Sequence, residues 1–163
     1  QVAGVSADEL RTAMLSFAGV DRRFDFHVRR DDMAYISDYA HHPEEIRQSI
    51  LSIKQLYEGR RIRAIFQPHL YTRTRDFYKD FAAALSLLDD VVICDIYPAR
   101  EEPIPGVTSQ LIYDNLRPGI QKQMCSKEDI LKHVNRDEFD VLVTLGAGDI
   151  ENFAHDITNL LSC

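Results

Sequence analysis

Two stretches decide the fold: Asp38-Tyr39-Ala40-His41-His42-Pro43 and Phe66-Gln67-Pro68-His69-Leu70-Tyr71-Thr72-Arg73-Thr74. Each follows an apolar run typical of a buried strand and precedes a pattern typical of a helix. In an open α/β sheet, ligands bind at the edge formed by the carboxyl ends of the parallel strands. Both turns concentrate polar groups at that edge, including carboxylate, imidazole, hydroxyl and guanidinium groups. They therefore indicate a binding site as well as a fold.

The same alternation of strands and helices continues along the chain. Strands are predicted at residues 34–39, 61–67, 91–97, 122–125 and 141–145, and helices at 43–57, 75–88, 109–116, after Ser126 and at 150–161. Charged residues precede alternating apolar ones over residues 20–28, which we interpret as a linker that continues into an edge strand. The pattern predicts an α/β fold with a mostly parallel sheet, helices on both faces and one antiparallel edge strand.

The first helix is predicted to belong to a separate unit. Ser6 and Glu9 form a candidate capping box ahead of an apolar face that ends at Phe17. Residues 1–22 are then the tail of a preceding domain with its linker, and residues 23–163 are the domain itself.

Length, charge and cysteine content narrow the class of protein. The 163 residues are 45% hydrophobic and 28% charged, as in an ordinary globular domain, and the net charge of -7 argues against nucleic-acid binding. The three cysteines, Cys94, Cys125 and Cys163, show no C-x-x-C spacing, which suits reduced thiols in a cytoplasmic protein. No apolar run is long enough to predict membrane insertion. The opening residues resemble neither a signal peptide nor a natural start, so we expect a longer protein.

The histidines allow two interpretations. His41, His42 and His69 could converge with Asp38 as metal ligands, since imidazole and carboxylate groups suit transition metals. Adjacent histidines point in different directions, however, and no H-x-x-x-H motif or cysteine pair supports them. We therefore favour hydrogen bonds to a ligand or to the backbone, and we predict no metal site.

The arginines of the second turn also allow two interpretations. Arg73 and Arg75 stand at the start of a helix, where the macrodipole disfavours positive charge. They could pair with Asp76, with Asp80 or with a carboxylate at the sheet edge. They could equally form a fork for a substrate carboxylate or phosphate.

A third turn, Gly146-Ala147-Gly148-Asp149, follows the last strong strand. Small residues there could let backbone amides approach a phosphate, as in half of a dinucleotide fingerprint. Tight packing of a strand against a helix explains them equally well, and Asp149, a natural N-cap, would repel an anion. No G-x-x-x-x-G-K-[ST] phosphate-binding loop occurs in the chain.

Six motifs, taken in order, resemble the C-terminal domain of the Mur ligases of bacterial peptidoglycan synthesis. They are Gly19-Val20-Asp21-Arg22-Arg23-Phe24, Asp38-Tyr39-Ala40-His41-His42-Pro43, Phe66-Gln67-Pro68-His69 with Tyr71-Thr72-Arg73-Thr74, Tyr97-Pro98-Ala99, Pro103-Ile104-Pro105-Gly106 and Gly146-Ala147-Gly148. The resemblance covers nearly the whole chain. It implies a Rossmann-like domain of a three-domain enzyme, whose N-terminal domain binds the UDP-sugar and whose central domain is a P-loop ATPase.

The reaction implied by this resemblance consumes ATP and joins L-alanine to UDP-N-acetylmuramate through an acyl phosphate. ATP and magnesium would be bound mainly by the central domain, so the 163 residues alone are expected to be inactive. Two alternatives stay open. One is a ligase that attaches a recycled tripeptide to UDP-N-acetylmuramate, and the other is a nucleotide-binding or regulatory module without catalysis.

The resemblance also implies roles for eight residues of this chain. Arg22, Arg23 and Asp38 would bind ATP, His41 and His42 would face the reacting centre, and His69, Tyr71 and Arg73 would hold the amino acid. Members of the family usually have an arginine where this chain has Leu70. Binding of the carboxylate is therefore expected to depend mainly on Arg73.

Overall fold

The structure, a computed structural model, describes residues 4–16 and 22–162. Six strands form its sheet: β1 (Asp25–Arg29), β2 (Ala34–Asp38), β3 (Ile62–Phe66), β4 (Asp90–Cys94), β5 (Gln121–Cys125) and β6 (Val141–Leu145). Their spatial order is β1-β2-β6-β3-β4-β5. β1 runs antiparallel to β2, and every other neighbouring pair is parallel. The mostly parallel sheet with one antiparallel edge strand is confirmed.

Helical segments connect consecutive strands from β2 to β6. The α-helices of the described residues are α1 (Ala7–Ser16), α2 (Pro43–Leu56), α3 (Tyr71–Leu85), α4 (Gln110–Asn115) and α5 (Ala154–Ser162). Two 3₁₀ segments, Lys127–His133 and Asp149–Phe153, stand where the sequence predicts α-helix. In the part of the chain that is described, no helix combines the length and the apolarity needed to cross a membrane.

Both faces of the sheet are buried, because successive side chains of a strand point to opposite faces. In β2, Ala34 and Ile36 pack in a cluster with α2, α3 and α4, whereas Tyr35 packs in a second cluster with α5. Every residue of β3, β4 and β6 is buried, as expected for parallel strands covered on both sides. The predicted helices on both faces are confirmed.

α1 begins with the predicted capping box. The carboxylate of Glu9 accepts hydrogen bonds from the N–H and hydroxyl of Ser6, and the N–H of Glu9 donates to the Ser6 hydroxyl oxygen at 3.3 Å. The side chains of α1 are exposed. Phe17 and residues 19–21 of the expected linker lie outside the described residues. The assignment of residues 1–22 to the end of a preceding domain stays a prediction.

α3 begins earlier than the sequence pattern indicates. The predicted helix covered residues 75–88, whereas α3 extends over Tyr71–Leu85. Its first turn is capped by Glu101, whose carboxylate accepts hydrogen bonds from the Thr72 N–H at 3.0 Å and from the Thr72 hydroxyl at 2.5 Å. These bonds satisfy donors that a helix leaves free at its N-terminus. Because Glu101 is distant in sequence, the local pattern could not reveal this cap.

Candidate functional site

Three turns meet at the carboxyl edge of the sheet, because β6 lies between β2 and β3. The N–H of Gly146, after β6, donates to the carbonyl oxygen of Asp38 at the end of β2, at 3.1 Å. The N–H of Gln67, after β3, donates to the carbonyl oxygen of Leu145 at 3.0 Å. The two polar turns and the glycine turn therefore form one continuous site.

Asp38 is oriented by its own turn and by α2. Its Oδ1 accepts a hydrogen bond from the N–H of Ala40 at 3.1 Å, and its Oδ2 accepts one from the hydroxyl of Ser49 at 2.7 Å. The carboxylate lines a cavity of about 360 Å³ together with Arg23 and His41. Each carboxylate oxygen has a second lone pair and can accept a further hydrogen bond from a ligand in this cavity.

The two arginines of the linker motif lie in different surroundings. Arg22 is half-buried, with its guanidinium 4.6 Å from the ring centroid of Tyr39 and its Nε 3.5 Å from a carboxylate oxygen of Glu151. Its carbonyl oxygen accepts a hydrogen bond from the Tyr39 N–H at 2.7 Å. Arg23 is exposed and lines the cavity beside Asp38. The structure thus brings Arg23 to the cavity beside Asp38, whereas Arg22 contacts Tyr39 and Glu151.

The adjacent histidines contact different partners. The ring of His41 packs edge-to-face against His69, with centroids 5.9 Å apart, whereas His42 packs against Phe77 of α3 at 5.2 Å. Nδ1 of His41 lies 2.9 Å from the carbonyl oxygen of Tyr39. A carbonyl only accepts, so Nδ1 donates this hydrogen bond, and Nε2 is the ring nitrogen left to contact a ligand.

His69 and Arg73 form a hydrogen-bonded pair at the start of α3. Nη1 of Arg73 lies 3.2 Å from Nδ1 of His69, and a guanidinium only donates, so the ring proton of His69 is on Nε2. Burial, and then the positive charge of Arg73, lowers the pKa of His69, so the ring is neutral at pH 7. The His69 ring also stacks on Tyr97 with centroids 5.7 Å apart. Nε2–H is therefore left as a donor beside the guanidinium.

Arg73 has no carboxylate partner in the described ranges, 4–16 and 22–162. Within them, no Asp or Glu oxygen lies within 4.0 Å of its guanidinium. Arg75 instead forms the ion pair that the sequence left open for both arginines, with its Nε 2.7 Å from an oxygen of Asp76. Tyr71, also predicted to hold the amino acid, is the half-buried first residue of α3.

The glycine turn packs closely against two neighbouring residues. A Cβ on Gly146 would lie 2.7 Å from the carbonyl oxygen of Gln67, and one on Gly148 would lie 2.3 Å from Oε1 of Gln67 and 2.8 Å from Cβ of Tyr97. Small residues are therefore required by packing, one of the two explanations that the sequence left open.

Asp149 does not cap the following helical segment, since Gly148 occupies the N-cap position. Its carboxylate accepts a hydrogen bond from the side-chain amide of Gln67 at 2.7 Å and pairs with Lys127 at 2.7 Å. The expectation of a capping role was wrong because a side chain from a neighbouring strand end competes for the carboxylate. Reasoning from the sequence missed Lys127 and Glu101, which both bond to the site from distant parts of the chain.

Gly146→Ala is expected to lower the free energy of unfolding by roughly 3 kcal/mol, because its backbone φ of 143° and the carbonyl oxygen of Gln67 both exclude a Cβ. Gly106→Ala is the matched control. Gly106 also has a positive φ, 79°, but no atom within 4 Å of the added Cβ, so about 1 kcal/mol is expected. Urea denaturation of both variants measures the difference. Equal losses of unfolding free energy in the two variants would show that the contact with Gln67 does not destabilise Gly146→Ala.

No group of three or more His, Cys, Asp and Glu side chains in the described part of the chain is arranged to hold a metal ion. The carboxylate of Asp38 is already bonded to Ser49 and to the N–H of Ala40.

Residues 22–148 match the family described as "Mur ligase, glutamate ligase domain". The chain is 60% identical over 162 residues to the "UDP-N-acetylmuramate--L-alanine ligase" of Phocaeicola vulgatus, an alignment that covers 99% of this chain and 35% of that protein. It is 52% identical over 158 residues to the protein of the same name from Parabacteroides distasonis, covering 97% of this chain and 34% of that protein.

A solved structure shows the same fold. The UDP-N-acetylmuramate-alanine ligase of Thermotoga maritima matches with a TM-score of 0.78 and 29% sequence identity, over 98% of this chain and 34% of that chain. The chain thus spans about one third of the length of the relatives it matches.

Proposed function

The chain belongs to the Mur ligase family, and on that premise we propose that it is the C-terminal domain of a cytoplasmic, ATP-dependent ligase that joins L-alanine to UDP-N-acetylmuramate. The relatives at 60% and 52% identity carry the name of that enzyme, which supports L-alanine as the substrate rather than a recycled tripeptide. The reaction belongs to peptidoglycan synthesis. The N-terminal and central domains of the whole protein would supply the UDP-sugar site and the phosphate-binding loop.

The observation that carries the proposal is the lone guanidinium of Arg73 beside the neutral ring of His69. A positive charge at a helix N-terminus is unfavourable unless an anion offsets it. The carboxylate of L-alanine is such an anion, and it would accept charge-assisted hydrogen bonds from the guanidinium. His69 Nε2–H would donate a further bond to it. Tyr71, at the start of the same helix, would border the amino acid.

The ATP side of the site would be the cavity beside Asp38. Ribose hydroxyls donate hydrogen bonds, and the carboxylate of Asp38 has lone pairs to accept them. Arg23 lines the same cavity and would approach the phosphates. Arg22 would act indirectly, because its contacts with Tyr39 and Glu151 fix the backbone from which Arg23 projects.

His41 would serve the reacting amine. The amine of L-alanine must lose a proton as its nitrogen attacks the acyl carbon and the phosphate leaves. Because Nδ1 of His41 donates to the backbone, Nε2 is the ring nitrogen that would face the amine, and the ring contacts His69, which would hold the carboxylate of the same amino acid. We assign His41 the hydrogen bond from that amine. His42, which contacts Phe77, would border the same turn without contacting His69 or Arg73.

Magnesium would neutralise phosphate charge during the reaction. Since no cluster of ligands for it occurs in the described residues, it would be held mainly by the central domain.

The test is a ligation assay on the full-length protein with UDP-N-acetylmuramate and ATP, comparing L-alanine with the tripeptide. Product formation with L-alanine, and far less with the tripeptide, is expected. Product from the tripeptide alone would assign the recycling reaction. Binding of ATP without product from either amine would leave a nucleotide-binding module.

Asp38→Ala in the full-length protein is expected to raise the KM for ATP roughly tenfold, because hydrogen bonds to a charged group are worth about 1.5 to 3 kcal/mol. The kcat should fall less, since the proposed contact is to the ribose and not to the transferred phosphate. Asp95→Ala is the matched control, because Asp95 is the exposed carboxylate that follows β4. An ATP dependence of Asp38→Ala identical to that of Asp95→Ala would show that Asp38 only orders its turn.

A further inference from the structure

Cys94 and Cys125 face each other across two neighbouring strands. They end β4 and β5, are directly paired in the parallel register, and their Sγ atoms are 3.5 Å apart. Neighbouring strands lie about 4.8 Å apart, within the roughly 4.4 to 6.8 Å between Cα atoms that a disulfide spans. The two sulfurs can therefore be joined by rotation of the side chains, without a shift of either strand.

The two thiols differ in access and in acidity. β5 is an edge strand, and Cys125 is 8% exposed, whereas Cys94 is fully buried. The hydrogen bond between the thiols lowers the pKa of Cys125 and, together with burial, raises the pKa of Cys94. A small oxidant at the sheet edge thus meets Cys125 first, and Cys94 lies in contact behind it.

We infer that Cys94 and Cys125 form a dithiol that hydrogen peroxide oxidises to an intramolecular disulfide. The inference rests on the strand register and the sulfur contact, and it does not depend on the proposed ligase function. It agrees with the expectation of reduced thiols, since the dithiol is the form present without an oxidant. Cys163 lies outside the described residues, and the test removes it.

The oxidation proceeds in two balanced steps. The thiolate of Cys125 attacks one oxygen of hydrogen peroxide, the O–O bond breaks, and the sulfenic acid forms while the released hydroxide takes up a proton as water. The sulfur of Cys94 then attacks the sulfur of Cys125. An S–S bond forms, the S–O bond breaks, and the hydroxyl leaves with the proton of Cys94 as a second water. Two thiols are oxidised by two electrons, and one peroxide is reduced to two waters.

The disulfide would connect the edge strand to the sheet at the end that carries the site. Tyr97, which stacks on His69, lies three residues after Cys94. Lys127, which pairs with Asp149, lies two residues after Cys125. Oxidation at the edge strand would therefore restrict two segments that hold the site.

The test uses the full-length protein with Cys163→Ser, to remove pairing through that residue. Native protein is treated with hydrogen peroxide, alkylated and digested with trypsin without reduction. Mass spectrometry should find peptides 80–100 and 123–127 joined with the loss of two hydrogen atoms, and dithiothreitol should separate them. In Cys94→Ala, Cys125 should stop at the sulfenic acid, which a dimedone probe traps. In Cys125→Ser, Cys94 should stay a thiol.

Two results would overturn the inference. One is recovery of both peptides unlinked from native protein after peroxide has oxidised other exposed thiols. The other is formation of the link only after unfolding in urea, since that would mean that the native register does not join the sulfurs.

Discussion

Replacing Arg63 by methionine is expected to lower the free energy of unfolding by about 3 to 5 kcal/mol. The side chain of Arg63 is 3% exposed, and its Nε and Nη2 lie 2.8 and 2.7 Å from Oδ2 of Asp90. Its Nη1 lies 2.7 Å from a carboxylate oxygen of Glu138. Methionine fills a similar volume but leaves the carboxylate of Asp90 buried without a counter-charge. Native-state hydrogen exchange of β3 and β6 amides in urea measures the loss within this domain.

Arg61→Met is the matched control, two residues earlier in the chain. Arg61 pairs with Asp140 at 2.9 Å, but its side chain is 58% exposed, so a much smaller loss of stability than that of Arg63→Met is expected. Arg63→Met combined with Asp90→Leu should recover part of the stability, because it removes both buried charges. If Arg63→Met lowers the free energy of unfolding no more than Arg61→Met does, burial of the ion pair with Asp90 does not explain the contribution of Arg63 to stability.

Arg73→Ala in the full-length protein is expected to raise the KM for L-alanine roughly tenfold or more, the cost of a lost charge-assisted contact to a carboxylate. The dependence on ATP and on the UDP-sugar should change far less. Arg73→Lys should recover only part of the loss, because an ammonium does not reproduce the guanidinium fork. Saturation curves with L-alanine at fixed concentrations of the other substrates measure the effect.

The stability of the Arg73 variant separates substrate binding from a structural role. An unpaired cation at the start of α3 is unfavourable, so Arg73→Ala should leave the melting temperature unchanged or raise it. Arg75→Ala is the control on the same turn, because Arg75 pairs with Asp76 and should not affect the KM for L-alanine. A loss of stability with a normal KM would make Arg73 a residue of the fold and refute the proposed carboxylate site.

The meeting of the polar turns at one edge of the sheet was predictable from the sequence, because these residues directly follow apolar strands that run parallel. The direction of each side chain was not. His41 and His42 are adjacent in sequence, and only the packing of α3 brings one ring to His69 and the other to Phe77. Tertiary contacts decided the start of α3 in the same way, since the capping carboxylate of Glu101 comes from a distant loop.

The order of the strands was equally hidden from the sequence. β3, β4 and β6 are all fully buried and mostly apolar, so their patterns do not distinguish which of them is the neighbour of β2. Alternation of strands and helices predicts parallel pairing, but not which pairs form. The sequence also could not distinguish α-helix from 3₁₀ helix in the segments Lys127–His133 and Asp149–Phe153. The geometry of such short segments depends on tertiary contacts more than on intrinsic propensity.

The central place of β6 in the sheet means that its two neighbours, β2 and β3, are synthesised before the strand that joins them. β6 hydrogen-bonds to both β2 and β3, yet it is synthesised about 75 residues after β3 ends. At roughly 5 to 20 residues per second, a ribosome needs about 4 to 15 s to supply it. Through that interval the facing edges of β2 and β3 are unpaired in the nascent chain, open to pairing with other chains and to capture by chaperones. β2 and β3 can be joined through β6 only after β6 has left the exit tunnel.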